Sequence, residues 1–205
     1  MKRLFKMAVL PIVLLLAMML SGCQSNSQEQ TSGSAKTNQS LNWKVADFNF
    51  KDENNRSFGM DQLKGKVWLA DFMFTHCTSV CPPMTGNLVH LQKKLKEAKL
   101  PVEIVSFSVD PSRDTPEVLK RFAQKHGADF SNWHFLTGYS FDKLKSLSEG
   151  SFKSSVAKPS KGSDQFTHGT NIFLVNKEGV IVKKYNGFQD VPYDRIMKDI
   201  KELER

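Results

Sequence analysis

Cys77 and Cys81 stand four positions apart in FTHCTSVCPPM (residues 74–84), with His76 beside the first and Pro82 and Pro83 after the second. Two thiols at this spacing can close a disulfide, exchange electrons with a partner's thiols, or hold a soft metal ion. A structural staple explains the pair poorly. A loop of three intervening residues constrains the unfolded chain very little, because the entropic gain grows with loop length. Redox exchange and metal binding both need thiolates. A helix beginning at the second cysteine would favour them, since its N-terminal N–H groups place positive partial charge beside the sulfurs.

The flanking residues predict that helix. KVWLADFMF (Lys66–Phe74) is a nearly continuous apolar run, the mark of a strand buried on both faces of a sheet. Pro82 and Pro83 suit the first turn of a helix, where a missing N–H costs nothing. Met84, Leu88, Leu91 and Leu95 then share one helical face. The chain therefore reads strand, Cys-x-x-x-Cys turn, helix.

Alternation continues to the C-terminus. VEIVSFSVD (Val102–Asp110) is a second buried strand, and Thr115-Pro116 opens a helix with Val118, Leu119, Phe122 and Ala123 inward. WHFLTG is a short strand, Ser140 caps a helix through about Leu147, and TNIFLVNKEGVIVKKYNG is a hairpin turning at Gly179. A last helix sets Ile196, Ile200 and Leu203 on one side, and Trp43–Phe58 forms a small N-terminal hairpin turning at DENN. Strands alternating with helices imply an α/β sheet covered on both faces.

This order resembles the thioredoxin fold, here with an N-terminal β-hairpin extension and an inserted loop before a late histidine. Asp71 lies six residues before Cys77, the spacing at which thioredoxins keep a buried aspartate beneath their cysteines. A carboxylate inside an apolar strand needs a partner or a proton. Asp71 is thus either a group acting beneath the site or half of a salt bridge to a lysine. Two departures from thioredoxins stand out: the spacer has three residues, and no proline precedes the strand in FTHGTNIFLV, where His168 stands instead.

The N-terminus indicates compartment. Lys2, Arg3 and Lys6 precede an apolar run from Met7 to Leu20, and LSGC closes the segment. Residues 1–22 read as a signal peptide. The ending resembles the lipobox of bacterial lipoproteins, which makes Cys23 the lipid attachment site and places the protein on the extracytoplasmic face of the cell membrane. The apolar run is shorter than the ~20 residues of a spanning helix. Residues 23–40 are the lipidated cysteine and a polar tether with Ala35 as its one aliphatic residue, and 41–205 is the folded domain. The net charge of +8 includes three cations of the leader, leaving +5 after processing. Those charges are scattered along helices, so no nucleic-acid partner is expected.

DFMFTHCTSVCPPM, FSVDPSRDTPEVLKRFA, HFLTG and a late histidine before FLVNKEG together resemble the SCO/SenC family, the copper chaperones of cytochrome c oxidase assembly. The match runs from about Val45 to the C-terminus, with its blocks in family order. The resemblance implies copper, Cu(I) or Cu(II), bound by Cys77, Cys81 and His168. It also implies an oxidase subunit carrying the dinuclear copper site as partner, with a copper donor or a thiol reductant upstream.

Five histidines compete for the third position. His90 falls off the apolar face, His126 ends a helix where a cationic imidazole is favourable, and His134 sits in a strand as simple packing. His76 adjoins Cys77 and would point away from its side; His168 has the family position. Its preceding residue is Thr167, so the imidazole's orienting partner is open. Ser151–Phe166 reads as a mobile loop that carries His168 toward the cysteines, its lysines available to an acidic partner. Two roles follow, a metallochaperone and a thiol–disulfide oxidoreductase that uses Cys77 and Cys81 to keep the oxidase's cysteines reduced; a redox or copper sensor is a third.

Overall fold

The computed structural model describes residues 40–205; the leader, Cys23 and most of the tether lie outside the described residues. In chain order the elements are β1 (Trp43–Lys44), β2 (Asn49–Lys51), β3 (Ser57–Gly59), α1 (Met60–Leu63), β4 (Trp68–Met73) and α2 (Cys81–Glu97). Then follow β5 (Glu103–Ser108), α3 (Pro116–His126), β6 (Trp133–Leu136), α4 (Phe141–Gly150), β7 (Asn171–Val175), β8 (Val180–Asn186) and α5 (Tyr193–Glu204). Six strands form one sheet in the order β1-β8-β7-β4-β5-β6. β4, β5 and β6 are parallel, and the β7–β8 hairpin joins β4 antiparallel. This is the thioredoxin-like α/β arrangement expected from the element order.

β4 and β5 are buried on both sides, which is why they read as apolar runs. Alternation sends Trp68 and Phe72 to one face and Leu69, Asp71 and Met73 to the other. The first face carries an aromatic cluster. Phe72 stacks on Phe107 with centroids 5.5 Å apart, and Phe48 meets Phe107 edge-on at 5.2 Å. On α3 the inward residues are Leu119 and Ala123, with Val118 and Phe122 half-buried. Thr115 caps its start by accepting from the Val118 N–H, and Gly127 ends it at φ +80.

The N-terminal hairpin differs from expectation. β1 does not belong to it: Trp43 and Lys44 pair with Ile181 and Val180 at the edge of the main sheet. The hairpin is β2–β3 alone, a separate two-stranded sheet with Phe50 opposite Phe58. Its turn lies at DENN as expected, tied by Asp52 Oδ1 accepting from the N–H groups of Asn54 and Arg56. Burial of Val45 and Phe48 draws the intervening chain into the core and away from a continuous ladder.

Ser151–Phe166 also departs from a free loop. Phe152 is fully buried, 5.2 Å from Phe173 and 5.3 Å from Phe72 between ring centroids, and Val156 is buried too. Ala157 and Thr167 exchange two backbone hydrogen bonds of 3.0 Å, closing the base of the exposed portion. An isolated aromatic among serines and lysines has no periodicity to betray its burial.

Candidate metal centre

The site forms where β4 ends. Asp114, fully buried, accepts from the Thr75 N–H at 3.2 Å, from the Thr75 hydroxyl at 2.5 Å and from the Ser108 hydroxyl at 2.5 Å. That carboxylate joins the end of β4 to the end of β5 and holds the turn leading to Cys77. α2 begins at Cys81, with Pro82 in its first turn as the sequence predicts. The Cys81 N–H has no acceptor within its helix. It points at the Cys77 sulfur, 3.4 Å away.

His168 arrives from the chain just before β7. Its Nε2 is 3.1 Å from the Cys81 sulfur, and its Nδ1 donates to the Gly169 carbonyl at 2.9 Å. The orienting partner left open by Thr167 is therefore a backbone carbonyl, which fixes the tautomer and turns the Nε2 lone pair toward the thiols. The ring also stands edge-on to Phe74, with centroids 5.8 Å apart. One donor atom each from Cys77, Cys81 and His168 lies within 4.8 Å of the others.

Electrostatics set the two cysteines apart. The hydrogen bond from Cys81 holds Cys77 far below the usual thiol range, with His168 and the N–H groups of Ser79 and Cys81 adding to it against the cost of burial. The same hydrogen bond and burial push Cys81 up. Cys77 is thus the thiolate and the more accessible residue of the pair, at 8% exposure against none for Cys81. The Cys81 thiol has one proton for two acceptors, the Cys77 sulfur and His168 Nε2. A cluster so rich in electron pairs and short of protons fits a soft or borderline cation, and its two sulfurs exclude calcium and magnesium.

Asp71 is buried beneath this cluster and accepts from the Ser106 hydroxyl at 2.5 Å, while Ser106 accepts from Trp133 Nε1 at 2.9 Å. Among the described residues Asp71 has no lysine partner; the serine takes that place. Burial raises its pKa to about 6, and its charge is felt at Cys81.

The other histidines are elsewhere. His76 is exposed, and exposed His90 lies edge-on to Tyr193. His126 does not gain from its helix end as expected: burial, then neighbouring Lys125, lowers its pKa and disfavours the cation. His134 is more than packing. It stacks on Phe58 with centroids 4.0 Å apart, its Nε2 is 3.3 Å from Glu103, and it lies within a second group of donors with Asp52 and Glu53. No helix among the described residues is long and apolar enough to cross a membrane.

Comparison with known proteins places the chain. The family model SCO1/SenC matches residues 36–205. A SCO1 protein homolog of Bacillus subtilis is 46% identical over 161 residues, 78% of this chain and 83% of the relative. The structure of a SCO1/SenC family lipoprotein from Bacillus anthracis is 49% identical, with a TM-score of 0.79 over 81% of this chain and 98% of that one. BsSco, described with a disulfide switch as a member of the Sco family of cytochrome c oxidase assembly proteins, is 44% identical at TM-score 0.75, covering 80% and 95%. Bradyrhizobium japonicum ScoI, solved with copper bound, is 25% identical at TM-score 0.62, covering 78% and 99%. Together with the fold and the sulfur–imidazole cluster, these matches establish that the chain belongs to the SCO1/SenC family.

Proposed function

We propose that this protein binds copper through Cys77, Cys81 and His168, is anchored by a lipid at Cys23 to the extracytoplasmic face of the membrane, and helps assemble the dinuclear copper site of cytochrome c oxidase. The observation that carries the reading is the convergence of two sulfurs and an oriented imidazole at the end of β4. Copper is the cargo, accepted from a donor protein and passed to the oxidase subunit. The chain's own part is to keep Cys77 deprotonated, to present the His168 lone pair through the Gly169 carbonyl, and to shield both sulfurs from solvent. With three arms supplied by the protein, a partner's ligand can enter a further position and draw the ion away.

Copper titration of the reduced protein tests this. Cys77→Ala or Cys81→Ala should abolish tight binding of both Cu(I) and Cu(II). His168→Ala should spoil Cu(II) far more than Cu(I), because two thiolates alone can hold the softer ion. An unchanged Cu(II) spectrum in His168→Ala, with loss of that spectrum in His76→Ala, would reassign the third ligand.

The thiolate character of Cys77 favours a second reading, in which the pair reduces the oxidase subunit's cysteines. A deletion strain separates the two. Added copper restores oxidase activity if delivery is the role; an external thiol reductant restores it if reduction is, and His168→Ala is then fully active.

A further inference from the structure

The stretch directly before His168 is fastened to two other loops. Arg113, in the loop between β5 and α3, donates to the Asp164 carbonyl at 2.7 Å and lies 3.4 Å from its carboxylate. Through Nε it also pairs with Asp110, whose side chain is 1% exposed. Gln165 reaches the cysteine turn: its Nε2 donates to the His76 carbonyl at 3.2 Å, and its Oε1 accepts from the Thr78 N–H at 3.4 Å. These two residues flank Cys77. Phe166 completes the contact by packing on Phe74, with the Arg113 guanidinium 6.0 Å from its ring.

We propose that Arg113 and Gln165 form a two-point strap that positions His168, so that the histidine arm can be released while the cysteine pair stays intact. The proposal rests on the copper reading above. The two ends of the Arg113 bridge differ in kind. Asp110 is buried and bonded to Ser112, a rigid anchor, whereas the Asp164 carboxylate is 62% exposed. Exposed ion pairs are weak and screened by salt, so the strap opens at Asp164 and not at Asp110. Gln165 is the only side chain bonded to both flanks of Cys77 among the described residues, so its release frees the segment from the cysteine turn. The Gly169 carbonyl orients the imidazole locally, but the backbone carrying it is held near the sulfurs from Arg113 and Gln165. The fork of an arginine suits a carbonyl and two carboxylates at once; a lysine would keep charge beside Asp110 without spanning to Asp164.

The test uses R113K, Q165A and the double variant in the reduced protein, titrated with each copper ion. R113K leaves no uncompensated charge at Asp110, so the fold survives. The double variant should bind Cu(II) about 10-fold more weakly, the usual scale for losing an orienting partner, with Cu(I) affinity unchanged. Equal loss of both ions would overturn the proposal, because the damage would then lie in the cysteine pair. The His168 imidazole resonances of the metal-free protein give a second readout independent of copper. They should move in the double variant toward those of a free histidine, and unmoved resonances would overturn the strap. A wild type without copper affinity would refute the functional reading alone, with the resonances still deciding the strap.

Discussion

His168 Nε2 stands 3.1 Å from the sulfur of Cys81, a residue 87 positions earlier in the chain. The contact is made with a lone pair already aimed, since Nδ1 is committed to the Gly169 carbonyl. Orientation of this kind means that the imidazole need not turn when a cation arrives.

Cys77 should react as a thiolate at a pH where an ordinary cysteine, with a pKa of about 8.5, is still protonated. The rate of iodoacetamide alkylation against pH, measured on the metal-free protein, reads this directly. Cys81→Ala removes the first cause of the depression and should shift the midpoint of the profile upward. A midpoint indifferent to Cys81 would show that the hydrogen bond is not responsible.

Asp71 makes stability depend on pH. Its folded pKa of about 6 lies above the ordinary 3.8, so the folded state holds the proton more tightly than the unfolded chain. The associated stability is complete below pH 4 and is lost as pH rises through 6, by about 3 kcal/mol at the scale of ~1.4 kcal/mol for each pKa unit. Asp71→Asn should therefore flatten this part of the stability profile and raise stability at neutral pH relative to the native chain. Urea unfolding at pH 4 and pH 7 checks it; equal pH dependence in both proteins would rule it out. The same substitution should alter the pH–rate profile of thiol–disulfide exchange if Asp71 serves as proton acceptor for the pair.

Phe152→Ala should cost about 3–5 kcal/mol of unfolding free energy, the range for truncating a fully buried aromatic ring. Loss below about 1 kcal/mol in denaturant melts would mean that the segment after α4 is the loose surface insertion its composition suggests.

Cys23→Ala should abolish acylation and membrane retention. Radiolabelled fatty acid incorporated equally into the variant would remove the lipoprotein reading.

What could be read from the sequence is what local spacing encodes. β4 and β5 announced themselves because burial on both faces leaves no polar alternation, and the Cys-x-x-x-Cys turn was visible through its prolines. His168 required a resemblance, since nothing within its own neighbourhood distinguishes it from His76 or His134. The strap was invisible for a related reason: Arg113 meets Asp164 across 51 positions, and no spacing rule relates them. Phe152 was misjudged because a single buried ring carries no period. The same holds for β1, two residues long, whose partner β8 lies at the far end of the chain.

The separation of 87 positions between Cys81 and His168 also ties the site to chain order. An unfolded polypeptide keeps its two neighbouring thiols but loses the imidazole to the large volume that such a long segment explores. A three-armed complex, as proposed, would therefore be a property of the native topology, and an ion held there would act as a tertiary crosslink between the cysteine turn and the approach to β7. Loading should then raise the melting temperature with free ion concentration, and a chelator should lower it again. On the proposed copper-donor reading, the protein that has surrendered its ion would be thermodynamically softer than the one about to deliver, and that difference would distinguish donor from spent carrier without any change of fold.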